Sequence, residues 1–374
     1  MGRKLDQVDY NSLDDAKIAF IEASRRTLGF AKNYGFVPDK RLGSSANIFT
    51  LNLKPFIKFN PSLYTTLITE GLGTADDARP DDLTSAEEEK FWYNIAFKTL
   101  GALTNDVASA GVQPILISLY LPSSSPEIVF NKSFRKGFLS GIVDGCRKIG
   151  CVYISGETPQ LKSKIFKGKL DIAGAVFGVV PSGRKPTAGS VKAGDKIVFV
   201  ESSGPHENGF TPIRELAGRI KKGFRTKLPG GRDFWEGANE PSVLYSPLVQ
   251  SILSVGITPT NIEPITGHGW LKLMRSNKPI RYVIEKILPI PNIFKFIEKE
   301  NGSTTEEMIK IFNYGVGLVV FIKDDKDAVK VVEVAKGHKL KSIVAGYTER
   351  STKREVYVKP LGILLTGKEF VLRK

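Results

Sequence analysis

The chain of 374 residues has little of what usually announces an active site: 2 cysteines, 3 histidines, 3 methionines and 3 tryptophans. Cys146 and Cys151 have neither zinc nor CxxC spacing, so no disulfide framework is expected and both should stay reduced. Without a His/Cys cluster, a structural zinc is not expected either. There is no Walker A motif, no GxGxxG fingerprint and no GxSxG elbow. The longest apolar runs, AVFGVV and VGLVVFI, fall far short of the roughly 20 residues that span a bilayer. The opening MGRKLDQVDYNSLDDAK carries both charge signs and no apolar h-region, and Asp6 breaks the myristoylation pattern after Gly2. A cytoplasmic protein without membrane association is the expectation.

What is present is an ordinary globular composition, 41% hydrophobic and 25% charged, with a net charge of +15. Lysines and arginines are spread along the chain and no run forms a basic arm. The excess charge therefore suits anionic metabolites, and no dedicated nucleic-acid function is expected. At roughly 150 residues per domain the length predicts about two domains.

Strand and helix patterns alternate along the chain. Ser12-Leu-Asp-Asp15 resembles a capping box opening a helix to about Asn33, and 34–62 is loop-rich around RLGSSAN. YTTLIT (64–69) alternates as a strand. Thr84-Ser-Ala-Glu87 caps a helix to Asn105, and ILISLYL (115–121) is a buried strand. Phe130, Phe134, Phe138, Ile142 and Cys146 recur every four residues, the core stripe of another helix. VYIS and LDIAGAVFGVV are strands. The Pro-, Gly- and Lys-rich 181–195 marks a boundary, giving domains 1–183 and 184–374. The second half predicts strands at KIVFVE, RYVIEKI, VGLVVFIK and SIVAGYTER, and helices from about Gly209, over 240–256, at PNIFKFIEKENG and at DAVKVVEVAKG. The fold class is α/β, in α+β layers.

Four polar turns stand out. In EGLGTADD (70–77), two glycines let backbone approach a ligand, and Glu70 or the Asp pair can meet Mg²⁺; an ordinary glycine turn fits equally. Asn105-Asp106 closes a helix pattern, where a carboxylate opposes the helix dipole unless a cation compensates it; an Asn cap is the plainer alternative. Glu157 in SGETPQ is a metal ligand, a base or a turn residue. SSGPHENG (202–209) joins a strand to a helix, a layout that receives anions on backbone N–H groups, and Ser202, Ser203, His206 and Asn208 add polar groups. A packed histidine and an Asn N-cap are the alternatives there. ITGHGW (265–270) is another glycine-flanked turn.

In order, these stretches resemble the aminoimidazole ribonucleotide synthetase (phosphoribosylformylglycinamidine cyclo-ligase) family. They also resemble its wider ATP-using superfamily, which includes selenophosphate synthetase, thiamine-monophosphate kinase and a hydrogenase maturation protein. EGLGT resembles Asp-Gly-Val-Gly-Thr-Lys, and TNDVASAGVQP resembles the Asn-Asp segment. LSGIVDGCRKIGCVYISGET leads to the counterpart of Gly-Gly-Glu-Thr, and LDIAGAVFGVV matches an Asp-x-Ala-Gly strand. SSGPHENGF is very close to Ser-Ser-Gly-Pro-His-Ser-Asn-Gly. ITGHGW resembles Thr-Gly-Gly-Gly, and FNYGVGLVV resembles Phe-Asn-x-Gly-Val-Gly.

The resemblance implies a two-domain protomer with a carboxyl-terminal α/β sandwich. It implies a homodimer whose amino-terminal strands form a barrel, and the cofactors ATP and Mg²⁺. It implies ATP-dependent cyclisation of a phosphoribosyl substrate, formylglycinamidine ribonucleotide, to aminoimidazole ribonucleotide in purine biosynthesis. His206, Asn208 and Asp106 would act at the reacting groups, and Asp106 and Glu157 would hold the metal. Glu70, Gly71, Gly73, Thr74, Asn105, Glu157, Thr158, Ser202, Ser203, Gly204, Gly209, Thr266, Gly267 and Gly269 would contact ATP or substrate.

This sequence departs from the pattern at several points. Ala75 stands where the family has Lys, Lys98 where it has Asp, Glu70 where it has Asp and His268 where it has Gly. PQLKSK replaces Ala-Glu-Met-Pro-Gly, and Lys40 or Arg41 would have to supply the early-loop lysine. The alternatives left standing are a paralogue using ATP on another substrate and a non-catalytic nucleotide-binding member.

Overall fold

The structure, a computed structural model, describes residues 10–38, 49–54, 63–187, 189–276 and 278–367. RLGSSAN and the Lys40/Arg41 substitution lie outside them.

Helix α1 (Tyr10–Thr27) begins two residues ahead of Ser12 and stops short of Asn33. A single 3-10 turn follows, then strand β1 (Phe36–Pro38), paired antiparallel with β2 (Phe49–Leu51). That small ribbon lies in the stretch expected to be loop, because three-residue strands leave too short a pattern to detect.

A four-stranded sheet comes next. It comprises β3 (Thr65–Gly71), β4 (Gln113–Tyr120), β5 (Val152–Glu157) and β6 (Ala173–Val179), in the order β3-β6-β4-β5. Only β4 and β5 are parallel; the other neighbours are antiparallel. The carboxyl ends of β3, β4 and β5 therefore lie at one end of the sheet. Helix α2 (Ser85–Ser109) starts at a capping box: Thr84 Oγ1 accepts from Glu87 N, and a Glu87 carboxylate oxygen accepts from Thr84 N at 2.9 Å. It runs past Asn105 to Ser109, so Asn105 and Asp106 sit inside the helix, one turn from its end. After the short α3 (Pro126–Phe130) comes α4 (Lys132–Ile149), on which Phe134, Phe138, Ile142 and Cys146 form the expected buried stripe. Phe130 falls just before α4, in α3.

The described residues of 181–195 contain no helix or strand. Beyond them a seven-stranded sheet runs β13-β12-β9-β11-β7-β10-β8. Its strands are β7 (Lys196–Glu201), β8 (Asn261–Pro264), β9 (Ile280–Ile284), β10 (Val316–Ile322), β11 (Ser342–Arg350), β12 (Glu355–Val358) and β13 (Ile363–Thr366). The helices of this half are α5 (Phe210–Arg219), α6 (Phe234–Ala238), α7 (Ser246–Ser254), α8 (Asn292–Asn301), α9 (Thr305–Ile311) and α10 (Asp325–Gly337). Strands β7 and β10 are apolar on both faces. Phe199, Val319 and Phe321 point into one core with Phe294 and Trp270, whereas Val198, Val200, Leu318 and Val320 point into another with Leu248, Ile252 and Val331. A period of two in a strand covered on both sides produces this split.

The helix expected over 240–256 starts only at Ser246. Residues 240–245 are irregular and cross α2. That helix also joins the two halves: Phe91, Ile95, Leu100 and Leu103 pack in one core, and Ala108 in the core of α7 and α10. Ion pairs flank the same seam. Arg225 meets Glu87 at 2.6 Å, Lys90 meets Glu236 at 3.0 Å and Arg214 meets Asp77 at 3.2 Å.

Candidate functional site

Where α2 crosses the second half, a cleft of about 110 Å³ opens. Glu70 and Gly71 from the end of β3, and Gly101, Ala102, Asn105 and Asp106 from α2, form one wall. His206, Glu207 and Asn208 from the turn after β7, and Pro264 to Thr266 after β8, form the other. The α2 residues converge because Gly101 and Asn105 are four apart, as are Ala102 and Asp106, so each pair shares a helix face.

Asn105 ties the walls together. Its Nδ2 donates to the Val243 carbonyl at 2.9 Å, and its Oδ1 accepts from Tyr245 N at 2.8 Å. Both its nitrogen and its oxygen are engaged by the irregular 240–245 segment, so Asn105 holds the junction closed. Asp106 is free to face the cleft. Burial raises the pKa of Glu70, and the negative charge of Asp106 raises it further, while Lys272 opposes both. Lys272 lies among Asp106, Glu263 and Glu70; burial lowers its pKa, and its ammonium donates to Thr266 Oγ1. Glu263, raised by burial, pairs with Arg275 at 2.9 Å.

The turn at 202–209 is more self-contained than its composition suggests. Ser202 Oγ donates to Asn313 Oδ1 at 2.8 Å, Ser203 Oγ donates to the Pro241 carbonyl at 2.6 Å, and Asn313 Nδ2 donates to the Gly204 carbonyl at 2.8 Å. These three positions brace the turn and do not line the cleft. His206 is buried with a left-handed backbone, φ 55°. Its Nε2 accepts from Ser203 N at 3.3 Å and Val243 N at 3.4 Å, which assigns the ring proton to Nδ1. Burial, reinforced by the Lys98 charge, holds its pKa down at about 3. A neutral imidazole is thus the form present near pH 7. Gly209, not Asn208, takes the N-cap of α5 at φ 79°, and a Cβ there would meet the Phe312 ring at 2.2 Å.

Lys98, one of the departures from the family pattern, meets Glu207 here. Lys98 is fully buried and donates to the His206 carbonyl at 2.5 Å, with its ammonium 5.2 Å from the Phe210 ring centre. Burial lowers its pKa to about 8, against the pull of Glu207 and Glu240. Glu207 is raised by burial to about 7, while the Ser242 hydroxyl and the Lys98 charge pull it down. Its Oε1 lies over Gly101, 2.3 Å from where a Cβ would stand, beside Ser242 and without a well-formed hydrogen bond.

Other expected residues lie elsewhere. Gly73 and Thr74 line a second cleft of about 610 Å³ with Asp76, Asp77, Lys164, Lys169 and Arg214. Asp77 holds Lys169 at 2.6 Å and Arg214 at 3.2 Å. The two clefts flank the Gly71–Gly73 turn. Glu157 and Thr158 end β5, three strand spacings from β3, or roughly 14 Å across the sheet. Glu157 is not among the residues that line the cleft with Asp106. Gly267 abuts Asn208, whose Oδ1 is 3.5 Å from the position of a Cβ. Gly269 already donates its N–H to the Thr266 carbonyl at 3.1 Å. Sequence reasoning missed Glu207, Lys272 and Asn313 as site-forming residues. Asn313 had a signal in the Phe-Asn-x-Gly-Val-Gly pattern; Lys272 had none.

Among known proteins, residues 69–180 match the family model described as "AIR synthase related protein, N-terminal domain". Over 300 residues, 78% of this chain and 81% of the relative, the chain is 31% identical to a phosphoribosylformylglycinamidine cyclo-ligase of Methanococcus maripaludis. The chain belongs to the phosphoribosylformylglycinamidine cyclo-ligase family. By that membership it is a ligase. A relative of the same name from Pyrococcus horikoshii is 29% identical over 85% of this chain and 87% of its own. Among solved structures, E. coli HypE, a hydrogenase maturation protein, superposes with a TM-score of 0.62 over 96% of this chain and 97% of its own, at 16% identity. T. maritima PurL complexed with FGAR superposes with a TM-score of 0.54 over 93% of this chain and 53% of its own, at 14% identity. These likenesses show a shared fold. Among the described residues no helix is long and apolar enough to cross a membrane, and Cys146 and Cys151 are both free and buried.

Proposed function

We propose that this cyclo-ligase-family member closes the ring of formylglycinamidine ribonucleotide at the expense of ATP, releasing ADP, phosphate and aminoimidazole ribonucleotide. The observation that carries the proposal is the junction cleft. It gathers Glu70, Asp106, Asn208 and Thr266 from both halves of the chain into a space the size of a few reacting groups. A space of that size excludes a whole nucleotide, whose binding sites run to about 300–1,000 Å³. The larger cleft beyond the Gly71–Gly73 turn, with Lys164, Lys169 and Arg214, suits the phosphate-bearing remainder.

The formyl amide oxygen takes the γ-phosphoryl group of ATP, the amidine nitrogen attacks the activated carbon, and phosphate leaves. Such transfer needs positioning and charge stabilisation more than covalent help from the protein. Asn105, and Lys98 through the His206 carbonyl, hold the two walls at fixed separation. Glu70 and Asp106 offer hard carboxylate oxygens, a donor set that fits Mg²⁺ sharing its shell with phosphates. When bound, Mg²⁺ would neutralise charge on the transferring phosphoryl group.

The proposal includes a homodimer in the cytoplasm, with units 1–183 and 184–374. The four-stranded sheet leaves Leu67 71% exposed, with Tyr64 and Tyr120 also open, so a second copy has apolar sheet surface to cover. In a dimer built on these strands, Glu157 and Thr158 serve the cleft of the second copy. Buried Lys98, where the family has an acid, is the observation that favours the other reading, a paralogue transferring phosphoryl to a different acceptor.

The test is direct. Purified protein with formylglycinamidine ribonucleotide, ATP and Mg²⁺ should release ADP and aminoimidazole ribonucleotide. Nucleotide binding without ring closure would favour the paralogue; no nucleotide binding by calorimetry would leave a non-catalytic member.

A further inference from the structure

Glu207 stands where the family pattern has serine, and it brings a carboxylate into the junction cleft that the general mechanism does not require. Three observations converge on it. It is half-buried and lines the cleft beside Asp106 and Asn208. Its Oε1 makes no well-formed hydrogen bond in the protein, with only the Ser242 side chain beside it over Gly101. It lies over Gly101, the one α2 residue of this wall without a side chain, so the space it occupies is cleared for it. A buried carboxylate oxygen left without a good donor is unfavourable, and a ligand donor would remove that cost.

We propose that Glu207 is a specificity-determining residue that accepts hydrogen bonds from an amidine-type group, N–C=N with two N–H donors, on the substrate. A carboxylate and an amidinium match as a planar fork, as carboxylate and guanidinium do. The charge pattern agrees. Glu70, Asp106 and Glu207 make the cleft wall acidic. Lys98 lies behind it, committed to the His206 carbonyl, and Lys272 is committed to Thr266. A neutral amide would present a carbonyl oxygen to Glu207 in place of one donor group, and two acceptors facing each other repel. Glu207 thus separates the amidine from its amide counterpart, a distinction a serine hydroxyl, both donor and acceptor, makes less sharply. The inference rests on the cyclo-ligase reading above.

The experiment compares binding of formylglycinamidine ribonucleotide with that of formylglycinamide ribonucleotide to the full-length protein by calorimetry, alongside Mg-ATP. Wild type should prefer the amidine by roughly tenfold or more. Glu207→Gln should erase that preference while keeping affinity for the amide, and Glu207→Ser should leave a small remnant. If Glu207→Gln fails to fold with Lys98 left buried beside it, Lys98→Met/Glu207→Gln removes both charges and is measured in the same way. An unchanged preference in the variants, or none in wild type, overturns the inference. Wild type that binds Mg-ATP but neither ribonucleotide overturns the cyclo-ligase reading instead.

Discussion

The ammonium of Lys98 and the backbone carbonyl of His206 meet at 2.5 Å across the junction, 108 positions apart in the chain. A lysine at this place would be costly alone, since an unpaired buried charge loses its hydration. Here it has a carbonyl to donate to, an aromatic face at Phe210, and the carboxylates of Glu207 and Glu240 in electrostatic reach. The charges of Lys98 and Glu207 offset each other in this interior.

That coupling can be measured. Lys98→Asp alone places an acid beside Glu207 and should cost about 3–5 kcal/mol. Adding Glu207→Ser should recover part of the loss, with a coupling of about 1–3 kcal/mol in a denaturation cycle. Simple additivity would show the two positions to be independent.

Asn105→Ala should destabilise by about 2–4 kcal/mol, because it orphans the Tyr245 N–H and the Val243 carbonyl together. Calorimetry would give the loss. A change below about 0.5 kcal/mol would mean that the 240–245 segment is held by other contacts.

His206 sets a pH dependence. Its pKa is about 3 in the folded chain against 6.5 for the free side chain. Between these values the unfolded chain holds more protons. The contribution of His206 is therefore complete above about pH 6.5 and lost as the pH falls toward 3, by up to about 1.4 kcal/mol per unit. Glu207 acts oppositely: its folded pKa is raised from 4.5 to about 7, so its contribution is complete at low pH and lost as the pH rises through that window. The two offset each other in wild type. In urea denaturation from pH 7 to pH 5, His206→Gln should gain stability relative to wild type as the pH falls. Parallel curves would remove the assignment.

Asp106→Asn and Glu70→Gln should each lower Mg²⁺-dependent turnover by about a hundredfold or more while leaving the melting temperature within a few degrees, since neither carboxylate braces the fold. Equal losses of melting temperature and activity would make them structural residues.

Gly209→Ala should be among the most damaging changes at the turn, about 2–4 kcal/mol, because φ 79° and the Phe312 ring both oppose a Cβ. A soluble variant with wild-type stability would contradict the packing described.

Much of the fold was legible because it follows from short-range pattern. The alternation of 64–69 gave β3, and the four-residue recurrence from Phe134 to Cys146 gave the buried face of α4. Boundaries failed where tertiary contact outweighs local preference. Residues 240–245 have helix-compatible composition but remain irregular, their backbone groups taken by Asn105. The site was legible in part. The turn at His206 and the pair Asn105-Asp106 did meet, whereas Glu157 did not join them, because distance across a sheet is invisible in a linear sequence. Ser202 and Ser203 looked like ligand donors and proved to be braces, since a hydroxyl's partner is chosen by whatever folds against it.

The sequence by itself determined the order of strands and turns, the family, and which residue types stand at the turns. These are properties of the covalent chain and of its local hydrophobic period. Only the tertiary structure decided that Lys98 faces the His206 turn, that Glu207 lies over Gly101, and that Gly71 and Gly73 open onto different clefts. Those facts depend on burial and on partners a hundred residues away. There the low-dielectric interior, not the local pattern, sets charge state and hydrogen bonding.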